Sequence, residues 1–293
     1  MEDFVQFFLN GVIRGCELAI VTMGFAIVIN TVSVWHIAHA GTYVAGAYLA
    51  WIMVALIGLP LWLGLIISIV GCGIIGIIME IGLYRPLRRS GSPIGGYLLA
   101  SIGLAFVIQN AWALLAGTYP KMVGGEIKVS YNIGNIYFTN IDIILIIACA
   151  LVFTFFFFFL NRTSIGLSVK AVASNSRLSE IWGADFDRVS LITMVIASLT
   201  VAPASMVRVI DIGIVPFAGW DVLILALIAY IVGGVGSTLG AGLAGLCLGI
   251  IKSLMVWQMP SVWAPLIIFA IVYVFMWARP RGISGKKVWV YEV

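Results

Sequence analysis

Charge is what this sequence has least of. Only 10% of its 293 residues are charged, against 62% hydrophobic. A soluble domain carries about 25% charged residues, so this chain has too few polar groups to cover its surface in water. Paired cysteines are also missing. Cys16, Cys72, Cys149 and Cys247 each sit alone in an apolar stretch, with no CxxC spacing and no neighbouring His. That excludes a disulfide framework or a zinc site as the organising device and leaves small packing residues. No phosphate loop is present, because Gly282-Ile-Ser-Gly285-Lys286-Lys287 lacks the GxxxxGK[ST] spacing and follows no strand. The basic residues form no face or arm between aromatics, so nucleic acid is not an expected partner. No nucleophile or acid–base set is visible, so no catalytic residue is expected. The ionisable groups near apolar runs are Glu80, Asp142, Arg208, Asp221 and Lys252, mostly at the ends of the runs. A proton-driven carrier needs such groups deep in its bundle. Their scarcity points to energy supplied from outside the chain.

Long apolar runs are what the sequence does have. A helix needs about 20 apolar residues to cross a bilayer. Runs of that kind cover Phe7–Val34, Ile37–Ile57, Leu61–Glu80, Ile94–Gly117, Ile141–Leu160, Val189–Ile210, Val222–Leu254 and Val262–Ala278. The seventh is too long for one crossing and is interrupted by Gly233-Gly234-Val-Gly236-Ser237-Thr238. The expected fold is an all-α polytopic membrane protein in one domain, with about eight or nine transmembrane helices and one or two broken or re-entrant segments. A re-entrant segment around His36–Gly41 would change that count. Gly41–Ala50 shares a small-residue rhythm with Gly236–Gly245, which raises a possible internal repeat. Lys and Arg gather at Arg85, Arg88 and Arg89, at Arg162, Lys170 and Arg177, and at Arg279, Arg281, Lys286 and Lys287, while the loop Thr118–Asn140 has only Lys121 and Lys128. The positive-inside rule then places the C-terminus in the cytoplasm and the N-terminus outside. Met1–Gln6 is acidic and unlike a secretory signal, so the first run is expected to stay as a span.

Four groups of residues stand out. The segment 161–188 is cytoplasmic on this reading, and Val169–Trp182 within it has a helical, amphipathic pattern. Ala173, Leu178, Ile181 and Trp182 form its apolar face, Lys170, Arg177 and Glu180 carry charge, and Gly183 ends it as a helix C-cap glycine does. Such a helix either floats at the lipid interface or docks on a cytoplasmic partner. His36 and His39, three residues apart, share a helix face; they are either satisfied by backbone at a bend or line a solute path with Thr42 and Tyr43. Gln109 and Asn110 either bond between helices or line the same path, as do Gly234, Gly236 and Ser237 in the glycine break. Arg208 and Asp211 lie at the outer end of their span at a spacing that allows pairing, and Arg14 and Glu17 repeat it. They form either an exposed interfacial ion pair or a contact for an extracellular protein.

Six stretches, in order along nearly the whole chain, resemble one family. His36-Ile-Ala-His39-Ala-Gly41-Thr-Tyr43 with Gly46-Ala-Tyr48, Tyr84-Arg85-Pro86-Leu87-Arg88, Ser101-Ile-Gly103 with Gln109-Asn110, Gly166…Lys170-Ala171…Gly183…Asp187-Arg188-Val189, Gly233-Gly234-Val-Gly236-Ser237 with Gly240 and Gly242, and Arg279-Pro280-Arg-Gly282 are similar to the signatures of the permease subunits of bacterial branched-chain amino acid ABC importers of the Liv type. Trp35-His36 and Ser174-Asn175 depart from the usual pattern. The resemblance implies a permease in the bacterial inner membrane without an ATPase site or bound cofactor of its own. Its implied partners are a second homologous permease, two cytoplasmic ATPases that carry ATP and magnesium, and an extracytoplasmic solute-binding protein. It implies that the segment around Val169–Gly183 couples to the ATPases. Leucine, isoleucine or valine is the implied solute, with urea, short amides or aromatic acids as alternatives. A passive channel or ion-coupled carrier would have no use for that coupling segment.

Overall fold

The computed structural model describes residues 2–124, 128–134, 136–279 and 282–284, so Arg281, Lys286 and Lys287 of the expected basic tail lie outside the described residues. Its helices are α1 (Glu2–Val32), α2 (His39–Trp51), α3 (Leu61–Met79), α4 (Arg85–Arg89), α5 (Ile94–Ala116), α6 (Asn140–Arg162), α7 (Ser164–Ser174), α8 (Ser176–Ile181), α9 (Phe186–Asp211), α10 (Gly219–Gly233), α11 (Thr238–Gln258) and α12 (Ala264–Ala278). A π turn at Ile52–Leu56 prolongs α2, and another at Glu80–Tyr84 joins α3 to α4. Among the described residues, eight continuous helices are long and apolar enough to cross a membrane. The protein is therefore an all-α, multi-pass membrane protein. One antiparallel hairpin, β1 (Ser130–Ile133) with β2 (Ile136–Thr139), follows α5.

Where every helix is apolar, small residues decide which ones go inside. α1, α2 and α9 fill the centre, and the large apolar side chains of α5, α6 and α12 face outward, among them Val107, Leu151 and Tyr273. Helices in lipid gain nothing from hiding leucine, so they associate where glycine, alanine, serine and threonine let backbones approach. α9 buries Ser190, Thr193, Ala197, Ser198, Ala202 and Ser205 for this reason. α1 and α11 meet through Gly11, Gly15, Gly245 and Gly249, and a Cβ added to Gly249 would run into the backbone of Gly15.

Breaks fall at both places the sequence marks, and a further one, residues 212–218, brings Gly219 at the start of α10 against the backbone of Ala40 in α2. α1 ends on Ser33 in a left-handed conformation (φ 57°), a position usually given to glycine. Residues 33–38 then return toward the level of Gly24 and Thr200, where α2 begins beside them at His39. The second break separates α10 from α11, so the run Val222–Leu254 is two helices. Backbone polar groups freed by a helix break need partners. Here Asn30 of α1 provides one: its Oδ1 accepts from Tyr230 Oη (2.8 Å) and Gly236 N (3.0 Å). The stretch after α12 completes the break, with Ile283 N donating to Val232 O and Ser284 N to Gly233 O.

The bundle also repeats itself upside down. α1 packs on α10 and α11 as α9 packs on α2 and α3, and α2 packs on α3 as α10 packs on α11. α1 and α9 run antiparallel, since Arg14 meets Asp211 and Gly24 meets Thr200. The set starting at α9 is thus an inverted counterpart of the set starting at α1. The equivalent of α2 in this arrangement is α10. The similar stretches Gly41–Ala50 and Gly236–Gly245 lie on α2 and α11, which are not counterparts, so their rhythm reflects close packing and not common position.

Candidate functional site

The centre of the bundle holds a chain of buried polar groups. Ala38 N donates to Ser101 Oγ (2.9 Å), Ser101 Oγ lies 2.8 Å from Tyr84 Oη, and Tyr84 Oη lies 2.8 Å from His36 Nδ1. His39 Nε2 reaches Val21 O (3.2 Å). One proton arrangement satisfies this chain: Ser101 donates to Tyr84, Tyr84 donates to His36 Nδ1, and His39 donates through Nε2. It leaves an N–H on His36 Nε2 and a lone pair on His39 Nδ1, both buried without partners, on rings whose centroids are 5.5 Å apart. The two histidines do face one another, but not along one helix, because His36 precedes α2 and His39 opens it. Tyr84→Phe would strand Ser101 and His36 Nδ1, at about 1–3 kcal/mol for each buried unsatisfied group. A thermal-unfolding midpoint lowered relative to wild type is the expected result in purified protein, with Tyr84→Leu no better.

A second cluster lies toward the hairpin end of the bundle. Tyr43 Oη donates to Glu17, Arg14 pairs with Asp211 at 2.6 Å, Arg208 approaches Glu17 at 3.6 Å, and Lys128 also reaches Asp211. The five charged residues of this cluster border a cavity of about 950 Å³, with Tyr43 behind Glu17. Its charged lining is Arg14, Lys128, Arg208 and Lys252 against Glu17, Asp142, Asp211 and Asp221, which balance. The pairing expected within α9, Arg208 with Asp211, does not form. Each exchanges partners with Arg14 and Glu17 of α1, because α1 and α9 cross where those four residues meet. Both residues are largely withdrawn into the cavity wall, with side chains 23% and 11% exposed.

The third assembly is at the opposite end. α6 turns into α7 through Thr163, whose hydroxyl caps the amide of Gly166 at 2.9 Å. Gly166 is pressed on the backbone of Phe159, leaving no room for a side chain. Val169 and Val172 of α7 pack with Val28 and Val32 of α1 and with Val189 and Met194 of α9. Lys170 holds Asn161 at 2.6 Å. Asn175 breaks the expected single helix Val169–Trp182 in two. Its backbone is extended and its side chain caps Leu178 N (2.9 Å), so α8 starts afresh in a new direction. Ala173 on α7 therefore does not share a face with the apolar residues of α8, although it is exposed like them. Gly183 does end α8, at φ 90°. Leu178, Ile181 and Trp182 are 51%, 80% and 84% exposed, with Arg177 and Glu180 beside them, also exposed. Next to α8, Asp187 at the start of α9 receives Arg85 (3.3 Å), Arg88 (2.6 Å) and Arg89 (3.3 Å), and Arg88 also reaches the buried Glu80 at 2.6 Å.

A family model described as "Branched-chain amino acid transport system / permease component" matches residues 7–276. The chain belongs to this family. The permease is 26% identical to the high-affinity branched-chain amino acid transport system permease protein LivH of Escherichia coli (strain K12), over 97% of this chain and 96% of that protein. It is 25% identical, with the same coverage, to the corresponding permease protein BraD of Pseudomonas aeruginosa. Among solved structures, PsaBC from Streptococcus pneumoniae in complex with Fab matches 94% of each chain at 14% identity and a TM-score of 0.49, a likeness too loose to bear on the fold.

The residues expected to share a path in the permease fall in several places. His36, His39 and Thr42 meet at the centre, where Thr42 lies over Met79. Tyr43, one position further round α2, belongs to the cluster bordering the cavity. Gln109 is buried with neither amide atom partnered among the described residues, whereas Asn110 is exposed and bonds back to Phe106 O. Gly234, Gly236 and Ser237 stand at the α10–α11 break, with Asn30. Asn30, Glu80, Tyr84 and Ser101 join these buried polar assemblies without having been expected there. Tyr84 and Ser101 lie inside the family-like stretches, and Asn30 is an amide late in an apolar run, which is itself a signal.

Proposed function

We propose that this permease is the membrane subunit of an ABC importer for branched-chain amino acids, driven by two ATPases that dock on α8. The observation that carries the reading is the exposed Leu178, Ile181 and Trp182 on a short helix mounted on packed machinery. Apolar side chains this exposed on a charged, solvent-side segment suit a groove on a partner, with the helix laid in by its apolar face. α7 is keyed to α6 by Gly166 and packed on α1 and α9, so a push on α8 would be passed to the two helices at the core of the bundle. The arginines around Asp187 tie α3 and α4 to the first turn of α9, which extends the same rigid body.

On this reading the α8 end is cytoplasmic. Arg85, Arg88, Arg89, Arg162, Lys170 and Arg177 all lie at that end, as the positive-inside rule requires. The N-terminus and the hairpin then face outward, where a solute-binding protein delivers its cargo near Arg208 and Asp211. A second permease completes the pathway, and ATP with magnesium belongs to the ATPases. Closure of the ATPases rocks the bundle between inward- and outward-open states, and the inverted halves provide the two sides of that motion.

Uptake by proteoliposomes containing the complete transporter, energised with ATP, tests the solute. Isoleucine and valine are expected to compete with radiolabelled leucine, and urea, acetamide and phenylacetate are not. Competition by one of the latter three, with no effect of isoleucine, would reassign the substrate.

A further inference from the structure

Among the described residues, the cavity near the hairpin contains one cation and one anion without an ion-pair or hydrogen-bond partner. Arg14, Lys128 and Arg208 all have carboxylate partners within 4 Å, as do Glu17 and Asp211 in return. Asp142 is held by the cap of α6, where it accepts from Thr139. Lys252 of α11 and Asp221 in the first turn of α10 make no ion pair or hydrogen bond among the described residues, though they line the same cavity and act on one another electrostatically. The same cavity has apolar lining too, from Leu225, one turn along α10 from Asp221, and from Ile268 and Phe269 of α12.

An unpaired lysine inside a membrane helix is expensive and marks a pathway or a ligand. A ligand that supplies a negative charge to the half-buried Lys252, offers a positive charge to the exposed Asp221 and lays apolar surface against Leu225 and Phe269 matches this lining. An aliphatic α-amino acid has all three on one small frame. The volume of about 950 Å³ lies within the range of small-molecule sites, roughly 300–1,000 Å³, with space left for water.

We propose that this cavity, within a single subunit, binds a free aliphatic amino acid, its carboxylate on Lys252 and Arg208 and its ammonium on Asp221. The proposal rests on the importer reading and deepens it by assigning the solute a site at the end opposite the ATPases. A zwitterionic lipid headgroup such as phosphatidylethanolamine has the same two charges, so the test has to separate the two.

The test is saturable binding of radiolabelled L-leucine to the purified permease–ATPase complex, prepared without the solute-binding protein, in nanodiscs made with or without phosphatidylethanolamine. Leucine is expected to bind in both lipids, and neither leucinamide, which has no carboxylate, nor 4-methylvalerate, which has no amine, should displace it. Lys252→Gln and Asp221→Asn should each weaken binding at least tenfold, and Lys252→Arg should retain most of it. Thermal midpoints show that the variants are folded. Wild-type affinity in both neutral variants, equal displacement by leucinamide, or leucine binding abolished by phosphatidylethanolamine would overturn the site. If ATP-driven uptake persists in both variants, the site alone is wrong. If uptake needs no ATP, the importer reading is wrong whatever leucine binds.

Discussion

Aspartate in place of Ile181 is expected to stop ATP-driven uptake while leaving the amount of permease in the membrane unchanged. Ile181 and its neighbour Trp182 are 80% and 84% exposed, so they contribute almost nothing to the fold of the chain itself. Substitutions at such positions usually move stability by no more than about 0.5 kcal/mol. At an interface the same residues behave differently. Truncating a buried aromatic anchor costs at least about 2 kcal/mol, and a carboxylate forced into an apolar groove costs more, because it loses its water. Two kcal/mol is roughly a thirtyfold loss of affinity for the ATPases. Trp182→Ala should therefore lower uptake about tenfold or more, and Ile181→Asp should abolish it. Copurification of the ATPase subunits is the parallel readout. Full uptake and full ATPase recovery by Ile181→Asp would mean that α8 rests on lipid.

Loss of Arg88 is expected to be the most damaging single change to the fold. Its guanidinium joins Glu80 and Asp187, each at 2.6 Å, and the Glu80 side chain is completely buried. Removing one partner of a buried ion pair typically costs about 3–5 kcal/mol, because the other charge is left without compensation. Arg88→Ala should thus be recovered from membranes at a small fraction of the wild-type level and unfold at a lower temperature. Neutralising the stranded acid at the same time, as in Glu80→Gln with Arg88→Met, should restore most of the yield. The restored protein should still transport poorly, since Asp187 keeps only Arg85 and Arg89, both at 3.3 Å, to hold α3 and α4 to α9. ATP hydrolysis that continues while uptake falls would be the sign of that loosened joint. Wild-type yield from Arg88→Ala alone would show that the ion pair is dispensable.

The parts of this fold that follow from solvent and chain length could be read from the residues. Apolar runs gave the spans to within a few positions, since only helices satisfy their backbone in lipid. Gly233–Thr238 and His36–Gly41 marked two of the breaks. Gly183 marked the end of α8, where a left-handed φ is needed. What could not be read was partnership. Arg208 with Asp211 fitted the helical spacing, but the crossing of α1 and α9 places Glu17 and Arg14 within reach and they take over. Val169–Trp182 had a continuous helical pattern, yet the side chain of Asn175 offers Leu178 N a cap and a fresh start wins. Tyr43 and Thr42 are adjacent in sequence and serve different clusters, because neighbours on a helix point about 100° apart. In a bundle that is apolar inside and out, the sequence signals the polar residues but not which of them will meet.

Leucine uptake by liposomes containing the complete transporter, with ATP confined to one face, tests the central claim, a pathway whose energy comes from subunits attached at α8. Uptake is expected only when ATP is on the face that carries α8, and only with the solute-binding protein on the opposite face. Ile181→Asp should remove it. Leucine that equilibrates across the membrane through this permease alone, without ATP, would contradict the account.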